Sequence, residues 1–251
     1  MAARRGGVEG VPGWSADGPS GTVGGVPDAA VLAAANNAAW CDVVCRAHGL
    51  PTTTGAGLWS TPRRSPDGYP DAATLRPGVP VADVLGSVDD APGASVKDSF
   101  ADLDLAPHGW TVLFEAQWLT RASGPPTTPE LPWRTVDRAL LPLWLAAHGS
   151  AAITSDVVDD PAVRLLLAAD EDGPLAVAAL NLSGTSDATV VGVSNVHAVR
   201  EAPLRVWSDL AAVARRELGA HPLVGYEAGP DLDPAVAVGF AAVGPLRVWV
   251  R

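Results

Sequence analysis

The stretch PLVGYEAGPDLDPAVAVGFAAVGPLRVWV, residues 222–250, decides the predicted fold of the second half of the chain. It opens with an apolar segment, 223–227, that predicts a β-strand, and it closes with another, 242–250. Between them, 234–240 predicts a short helix that ends at Gly239. A glycine at this place lets a helix stop and lets the chain turn back into an antiparallel strand.

Upstream of this stretch, apolar segments continue to alternate with turn-forming ones. They predict a strand, a helix interrupted by Pro142, three strands in series and a long helix, at 133–136, 138–148, 162–169, 175–182, 189–198 and 204–218. Together with 222–250, the order is β, α, three strands, α, β, α and β. Such an order predicts a mixed α/β fold, of the α+β type, built on a mixed sheet.

The first half of the chain predicts a smaller set of elements. Asp28 is a plausible N-cap and Gly49 a plausible end for an amphipathic helix. An ordered loop is expected at 50–71. The remaining elements are a strand, a helix and two strands, at 72–75, 79–88, 95–103 and 110–118.

Composition changes along the chain predict its domain organisation. Residues 1–27 are rich in Gly, Pro and Ser without hydrophobic periodicity, which predicts a flexible tail. An N-terminal α/β region follows at 28–121. The proline-rich segment 122–132 is interpreted as a linker, and 133–251 as the second domain.

The overall composition disfavours several classes of function. The chain is 47% hydrophobic and 18% charged, as folded globular proteins are. Its 17 Lys and Arg against 28 Asp and Glu give a net charge of −11, which argues against nucleic acid as a partner. No apolar run is long enough for a membrane span or a secretion signal, so we expect no membrane partner and a cytoplasmic protein. Its oligomeric state is left open.

Two segments carry a resemblance to a known fold. VVGVSNVHAV, 190–199, resembles the fourth strand of the GNAT acyltransferase fold, which splays from the fifth strand to admit the pantetheine arm of CoA. Gly239 and Phe240, followed by Val243 and Gly244, are similar to a common GNAT ending. The resemblance covers 162–251 strongly, and the N-terminal part is interpreted as a possible degenerate second GNAT-like half.

The chain as a whole also resembles uncharacterised GNAT-like proteins of actinobacteria. The shared segments are NNAAWCDVVC, SVKDSFADLDL and the terminal GPLRVWVR, at 36–45, 95–105 and 244–251. The resemblance implies an acyl-CoA-dependent N-acyltransferase that acts on a small-molecule amine. It also implies that Val196 and Ala198 line the pantetheine path.

The position of the family's phosphate-binding loop departs from the usual pattern Q/R-x-x-G-x-G/A. Here the loop is REAPLR, 200–205, in which Pro203 has no N–H to donate and Glu201 adds a negative charge. Arg200 and Arg205 are candidates to bind phosphates through their side chains. An alternative is a GNAT-like protein with a degenerate loop that has lost CoA binding.

Candidate catalytic residues lie on the two strands expected to splay. Many GNAT enzymes place an acidic tyrosine where this chain has Ala235. His197 is a candidate general base, and Tyr226 and Glu227 are candidates on the neighbouring strand. Structural roles remain open for all three: a hydrogen-bonded histidine, a packed tyrosine and an ion-paired glutamate.

Simple strand alternation assigns faces to the polar residues of 190–199. It places Ser194, Val196 and Ala198 on one face. Asn195, His197 and Val199 then occupy the other face.

A second polar group lies in the first half. Lys97 and Asp98 are close in sequence, and Glu115 interrupts the apolar strand at 110–118. These three residues are interpreted either as a second pocket or as a solvated sheet face. Lys97, the only lysine, is either a surface or ion-paired residue or a catalytic amine, since arginine cannot deprotonate.

Three functional hypotheses follow, and the third, a structural partner protein, is compatible with the acidic composition and the flexible tail. The first is the acyl-CoA-dependent transfer just described, with His197 or Glu227 as the base. The second is a small-molecule binding module, or an enzyme of another class in a biosynthetic pathway, that uses Lys97, Asp98 and Glu115. The five histidines show no metal-ligand spacing, so no metal is expected.

Overall fold

Eleven strands form one mixed sheet in the computed structural model, which describes residues 28–55, 57–185 and 188–251. The predicted flexible tail, 1–27, lies outside the described residues. The strands are β1 (Thr53–Gly55), β2 (Leu58–Ser60), β3 (Ala72–Thr74), β4 (Ser95–Asp98), β5 (Thr111–Arg121), β6 (Trp133–Thr135), β7 (Val163–Asp170), β8 (Gly173–Ser183), β9 (Val190–Ala198), β10 (Leu223–Glu227) and β11 (Ala241–Val250). The order across the sheet is β1-β2-β3-β4-β11-β5-β10-β9-β8-β7-β6.

Helices cover both faces of this sheet. They are α1 (Ala29–Ala47), α2 (Val81–Leu85), α3 (Leu141–His148), α4 (Ser155–Val158), α5 (Pro203–Leu218) and α6 (Leu232–Ala237). Helices α5 and α6 pack on one face with the apolar side chains of β8 to β10. Helices α1 and α3 pack on the other face. Among the described residues, no helix is both long and apolar enough to cross a membrane.

The mixed α/β fold predicted from the sequence is confirmed. The predicted loop at 50–71 was wrong in part, because it contains the short antiparallel pair β1 and β2. The strand predicted at 95–103 ends early, at Asp98. The carboxylate of Asp98 accepts hydrogen bonds from the N–H groups of Asp102 and Leu103, both at 3.1 Å, and so turns the chain out of the sheet.

Strands from both halves of the chain interleave in the sheet. Strand β5 lies between β10 and β11 and is antiparallel to both, and β4 pairs with β11. The segment predicted as a linker is held at its end by the buried carboxylate of Asp209 in α5. This carboxylate accepts hydrogen bonds from the N–H groups of Glu130 and Leu131 and from the indole of Trp133, at 2.8–3.1 Å. The regions 28–121 and 133–251 therefore share one sheet.

The parallel pair β9 and β10 is joined over a short distance only. Their register covers Leu223 with Val191 and Val224 with Gly192, although both strands continue beyond these positions. From there the two strands part. This fork in the middle of the sheet creates the space for a site.

A buried amide pair fixes α1 to the sheet beside the fork. Asn36 Nδ2 donates to the carbonyl of Asn181 at 3.2 Å and to Ser183 Oγ at 2.8 Å. Asn181 Nδ2 donates back to the carbonyl of Asn36 at 3.2 Å. The neighbouring position in β9 is Gly192, where a Cβ atom would overlap the amide oxygens of both asparagines. Only glycine fits between them.

We therefore expect Gly192→Ala to destabilise the protein by about 1–3 kcal/mol, because overpacking forces buried side chains to move. Urea denaturation of the variant and the wild type measures the difference. Gly124→Ala is the matched control, since a Cβ atom there would meet nothing within 4 Å. Equal stability of Gly192→Ala and the wild type would contradict the role given to this glycine.

Candidate active site

A cleft of about 860 Å³ opens where β9 and β10 part. Its walls come from α1, residues 66–70, Lys97 of β4, residues 148–152, residues 193–196 of β9, and Tyr226 and Glu227 of β10. Elements from both halves of the chain thus contribute to one cavity. Among the described residues, no group of three His, Cys, Asp or Glu side chains lies close enough together to hold a metal ion.

A bulge in β9 decides which of its side chains face the cleft side of the sheet. Ser194 pairs with Ala179 and His197 with Val177, which leaves Asn195 and Val196 opposite the single residue between them. Asn195 takes a left-handed conformation, with φ 52°. The predicted alternation is therefore wrong, because the extra residue shifts the faces by one position.

The consequence of the bulge is that Ser194 and His197 share the face covered by α1 and α3. Val196 and Ala198 turn to the other face and pack against the core under α5. Their predicted part in lining a pantetheine path stays a prediction.

Glu227 ends β10 at the fork and lines the cleft. Partial burial raises the pKa of its carboxyl from 4.5 to about 8, and the nearby charge of Asp231 acts in the same direction. No hydrogen bond from the described residues counters this shift. A carboxyl group with a pKa near neutrality can both accept and release a proton at physiological pH.

Lys97 lies at the floor of the cleft with only 4% of its surface exposed. Its Nζ atom donates a hydrogen bond to Asn37 Oδ1 at 2.8 Å. It also lies 4.1 Å from the ring centre of Tyr226 and 5.9 Å from that of Trp118. These two rings meet edge to face, with their centres 5.5 Å apart.

The interpretation of Lys97 as a surface or ion-paired residue was wrong. The side chain is buried, and within the described part of the chain no carboxylate lies within 4 Å of its ammonium group. Its burial follows from its position in β4, between β3 and β11 and under α1.

Asp98 and Glu115 do not join Lys97 at the cleft. Asp98 faces the opposite side of β4, where Trp249 Nε1 donates to its carboxylate at 3.4 Å in addition to the two turn N–H groups. Burial raises its pKa. Glu115 is exposed and pairs with Arg247 at 2.9 Å. The pocket predicted from these three residues is therefore wrong, because Lys97 and Asp98 face opposite sides of β4 and Glu115 is exposed on another strand.

His148 is a cleft residue that the sequence reasoning missed. Its ring stacks on Trp144, with centres 4.8 Å apart and planes 10° apart. Burial lowers its pKa, and so does the nearby ring of His197, whose centre lies 6.5 Å away. His148 Nδ1 is buried and has no hydrogen-bond partner among the described residues. The signal available in the sequence was its position at the end of a predicted helix, before Gly149.

His197, the base candidate from the sequence, is exposed and does not line the cleft. Tyr226 does line it. Ala235, in the place of the usual tyrosine acid, is fully buried in the core under α5. Of the residues predicted to be catalytic, the structure brings Lys97, Tyr226 and Glu227 together.

The arginine side chains in the region before and at the start of α5 already have partners within the protein. Arg200 pairs with Asp170 and donates to the carbonyls of Gly173 and Pro174 at 2.9 and 3.1 Å. Arg205 donates to Glu201 at 2.8 Å and to Glu130 at 3.2 Å.

Glu201 also accepts a hydrogen bond from the backbone N–H of Ala202 at 2.9 Å. Its carboxylate therefore lies at the start of α5, where the helix dipole favours a negative charge. The next residue, Pro203, has no N–H group.

The raised pKa of Glu227 predicts a pH-dependent stability. Between pH 4.5 and about 8 the unfolded chain ionises this residue while the folded chain keeps it protonated, so the wild type loses stability as the pH rises through this range. Glu227→Gln removes the effect. We expect the stability of this variant relative to the wild type to rise by roughly 2–4 kcal/mol from pH 4.5 to 8.5.

Urea denaturation at several pH values measures this difference. Glu171→Gln, at an exposed turn, is the control and should show no such trend. A difference between Glu227→Gln and the wild type that does not change with pH would show that Glu227 titrates normally.

Known structures share this architecture. The sequence matches no protein-family model and no curated protein. In structure, the chain is similar to a GCN5-related N-acetyltransferase from Kribbella flavida, with a TM-score of 0.57 and 16% identity over 90% of this chain and 95% of that one. It is also similar to a GNAT-family protein from Novosphingobium aromaticivorans, with a TM-score of 0.56 and 14% identity over 84% and 96% of the two chains. The chain therefore has a GNAT-like fold, and the likeness extends over both of its halves.

Proposed function

We propose that this protein transfers an acyl group to the amine of a small molecule, with Glu227 as the general base. The observation that carries the proposal is the position of Glu227, a partly buried carboxyl group that lines the cleft at the fork between β9 and β10, where burial raises its pKa to about 8. The GNAT-like fold supports the reaction class by analogy. The cleft of about 860 Å³ is suited to a small molecule.

In the proposed reaction, the amine nitrogen attacks the carbonyl carbon of the acyl donor. The C–N bond forms, the bond from that carbon to its leaving group breaks, and Glu227 takes the proton that the nitrogen loses. The proton then passes to solvent, and the leaving group departs with its electron pair. Partial burial keeps the carboxylate of Glu227 basic enough for this transfer.

Glu227 is favoured over His197 as the base because of position. Glu227 lines the cleft, whereas His197 is exposed outside it. His148 lines the cleft as well, and its lowered pKa keeps the ring neutral near pH 7. We assign His148 to the wall of the cleft, since its ring is held by stacking on Trp144.

The residues before α5 do not fit a CoA pyrophosphate. A phosphate at a helix start needs free backbone N–H groups. Here the N–H of Ala202 binds the carboxylate of Glu201, and Pro203 has none to offer. Arg200 and Arg205 already bind Asp170, Glu201 and Glu130. No step of the proposed reaction therefore depends on this loop.

The same contacts favour a second candidate function. In it, the protein has lost CoA and uses the cleft to bind a small molecule, or to act on one by another reaction class. The two functions differ in whether any acyl donor is consumed.

The first test follows acyl transfer to a panel of small primary amines, with acetyl-CoA and S-acetylpantetheine as donors. We expect Glu227→Gln to lower kcat about 10²- to 10⁴-fold, the usual contribution of a general base. The rate of the wild type should rise with pH and level off above about 8, as Glu227 loses its proton. Glu171→Gln is the control. If His197→Gln abolishes transfer and Glu227→Gln does not, the assignment is wrong.

The second test concerns the donor. Because the loop offers the pyrophosphate few contacts, kcat/KM for acetyl-CoA and for S-acetylpantetheine should agree within about tenfold, or 1.4 kcal/mol. The double variant Glu201→Ala and Pro203→Gly should raise kcat/KM for acetyl-CoA and leave kcat/KM for S-acetylpantetheine unchanged. A wild-type preference for acetyl-CoA well above tenfold would contradict the loop argument. No transfer from either donor would favour the second candidate function.

A further inference from the structure

We propose that Lys97 binds a carboxylate of the acceptor, so that the acceptor carries both an amine and a carboxylate, as an amino acid does. The part of this inference that concerns the amine rests on the proposed function. The part that concerns the carboxylate rests on the surroundings of Lys97 alone.

The first argument is the unbalanced charge of Lys97. A buried charge is costly unless an opposite charge or several hydrogen bonds compensate it. Lys97 is 4% exposed, and within the described residues it has no carboxylate partner within 4 Å. It is also the only lysine of the chain.

The second argument is the number of its hydrogen bonds. An ammonium group has three N–H donors, and Asn37 Oδ1 is the one acceptor that the described residues provide. The rings of Tyr226 and Trp118 attract the positive charge but accept no conventional hydrogen bond. Since Lys97 lines the cleft, its remaining donors are available to a molecule bound there.

The neighbouring ionisable groups do not neutralise this charge. Burial raises the pKa of the Cys41 thiol to about 11, so Cys41 is uncharged at neutral pH. Asp67 lies on the exposed rim of the cleft. Glu227, at the fork, is mostly protonated at pH 7. A negative charge supplied by a ligand is therefore the missing partner.

The size of the positive charge favours a carboxylate over a phosphate. Among the described residues, Lys97 is the only Lys or Arg that lines the cleft. Phosphate sites in proteins usually combine several cationic side chains or free backbone N–H groups. One ammonium group matches one monovalent carboxylate.

Lys97 and Glu227 are placed to meet the carboxylate and the amine of one acceptor molecule. The ammonium group of Lys97 lies over the ring of Tyr226, which precedes Glu227 in β10. Lys97 and Glu227 both line this one cleft, so a single small molecule bound there has both groups in its surroundings. A carboxylate at Lys97 directs the amine of the same molecule towards Glu227.

The test measures binding without any acyl donor. The wild type is screened by thermal shift, then by isothermal titration, against the twenty proteinogenic L-amino acids and the corresponding L-amino acid amides. We expect at least one amino acid to bind, and its uncharged amide to bind about 10- to 100-fold more weakly, the usual effect of losing a charge-assisted hydrogen bond. Because this comparison uses the wild type, it does not depend on the folding of a variant.

The Lys97→Met variant then tests whether Lys97 causes the preference for the amino acid over its amide. The variant should bind the amino acid as weakly as its amide, while the affinity for the amide stays as in the wild type. A general loss of structure would weaken both. Lys97→Arg keeps the positive charge and should keep part of the preference. Equal binding of acid and amide by the wild type, an unchanged preference in Lys97→Met, or no binding by any amino acid of the panel would overturn the proposal.

The outcomes separate this inference from the proposed function. An amino acid that binds through Lys97 but is acylated from no donor supports the carboxylate site and refutes the acyltransferase. Acylation of amines and amino acid amides as fast as of amino acids supports the acyltransferase and refutes the carboxylate site. Glu227→Gln should slow acylation about 10²- to 10⁴-fold and should keep the preference for the amino acid over its amide, because that preference comes from Lys97.

Discussion

The separation of β9 from β10 after two paired positions is the constraint on which the site depends. Inside a sheet, backbone N–H and C=O groups that lose their strand partner must find another one. In this protein the bulge at Asn195 and Val196 interrupts the β8–β9 ladder, which resumes at His197, while β10 stays paired with β5 as far as Glu227. The asparagine pair of α1 and β8 and the close fit at Gly192 fix β9 in place just before it parts from β10. The cleft thus exists because β9 and β10 stop pairing after these two positions.

Burial gives the cleft an unusual balance of charge. Lys97 has no carboxylate partner among the described residues, and Glu227 is kept mostly protonated by desolvation. An ion pair between them would have stabilised both charged forms and would have lowered the pKa of Glu227. Because the two groups are not paired, each remains available to a ligand. A bound molecule with a carboxylate and an amine would supply the partner that each of them lacks.

The sequence predicted regular elements well and local irregularities poorly. Strand β10 was predicted with its observed bounds, and the stop signal at Gly239, with φ 95°, lies just after the end of α6 at Ala237. The bulge at Asn195 was not foreseen, because one extra residue leaves the apolar pattern of β9 almost unchanged. The place of His148 in the cleft depends on how α3 packs on distant strands, which no local pattern reveals. The burial of Lys97 likewise depends on β11, far away in sequence.

The position of β5 between β10 and β11 has a consequence for how the chain folds. Both neighbours of β5 lie more than a hundred residues later in the sequence, so the centre of the sheet consists of contacts with large sequence separation. Proteins dominated by such contacts fold slowly, because long loops must close before the contacts form. During synthesis, β5 leaves the ribosome well before either partner and has two unpaired edges until they arrive. Unpaired edges of this kind favour aggregation, so the yield of folded protein is expected to depend on how this strand is protected while the chain is incomplete.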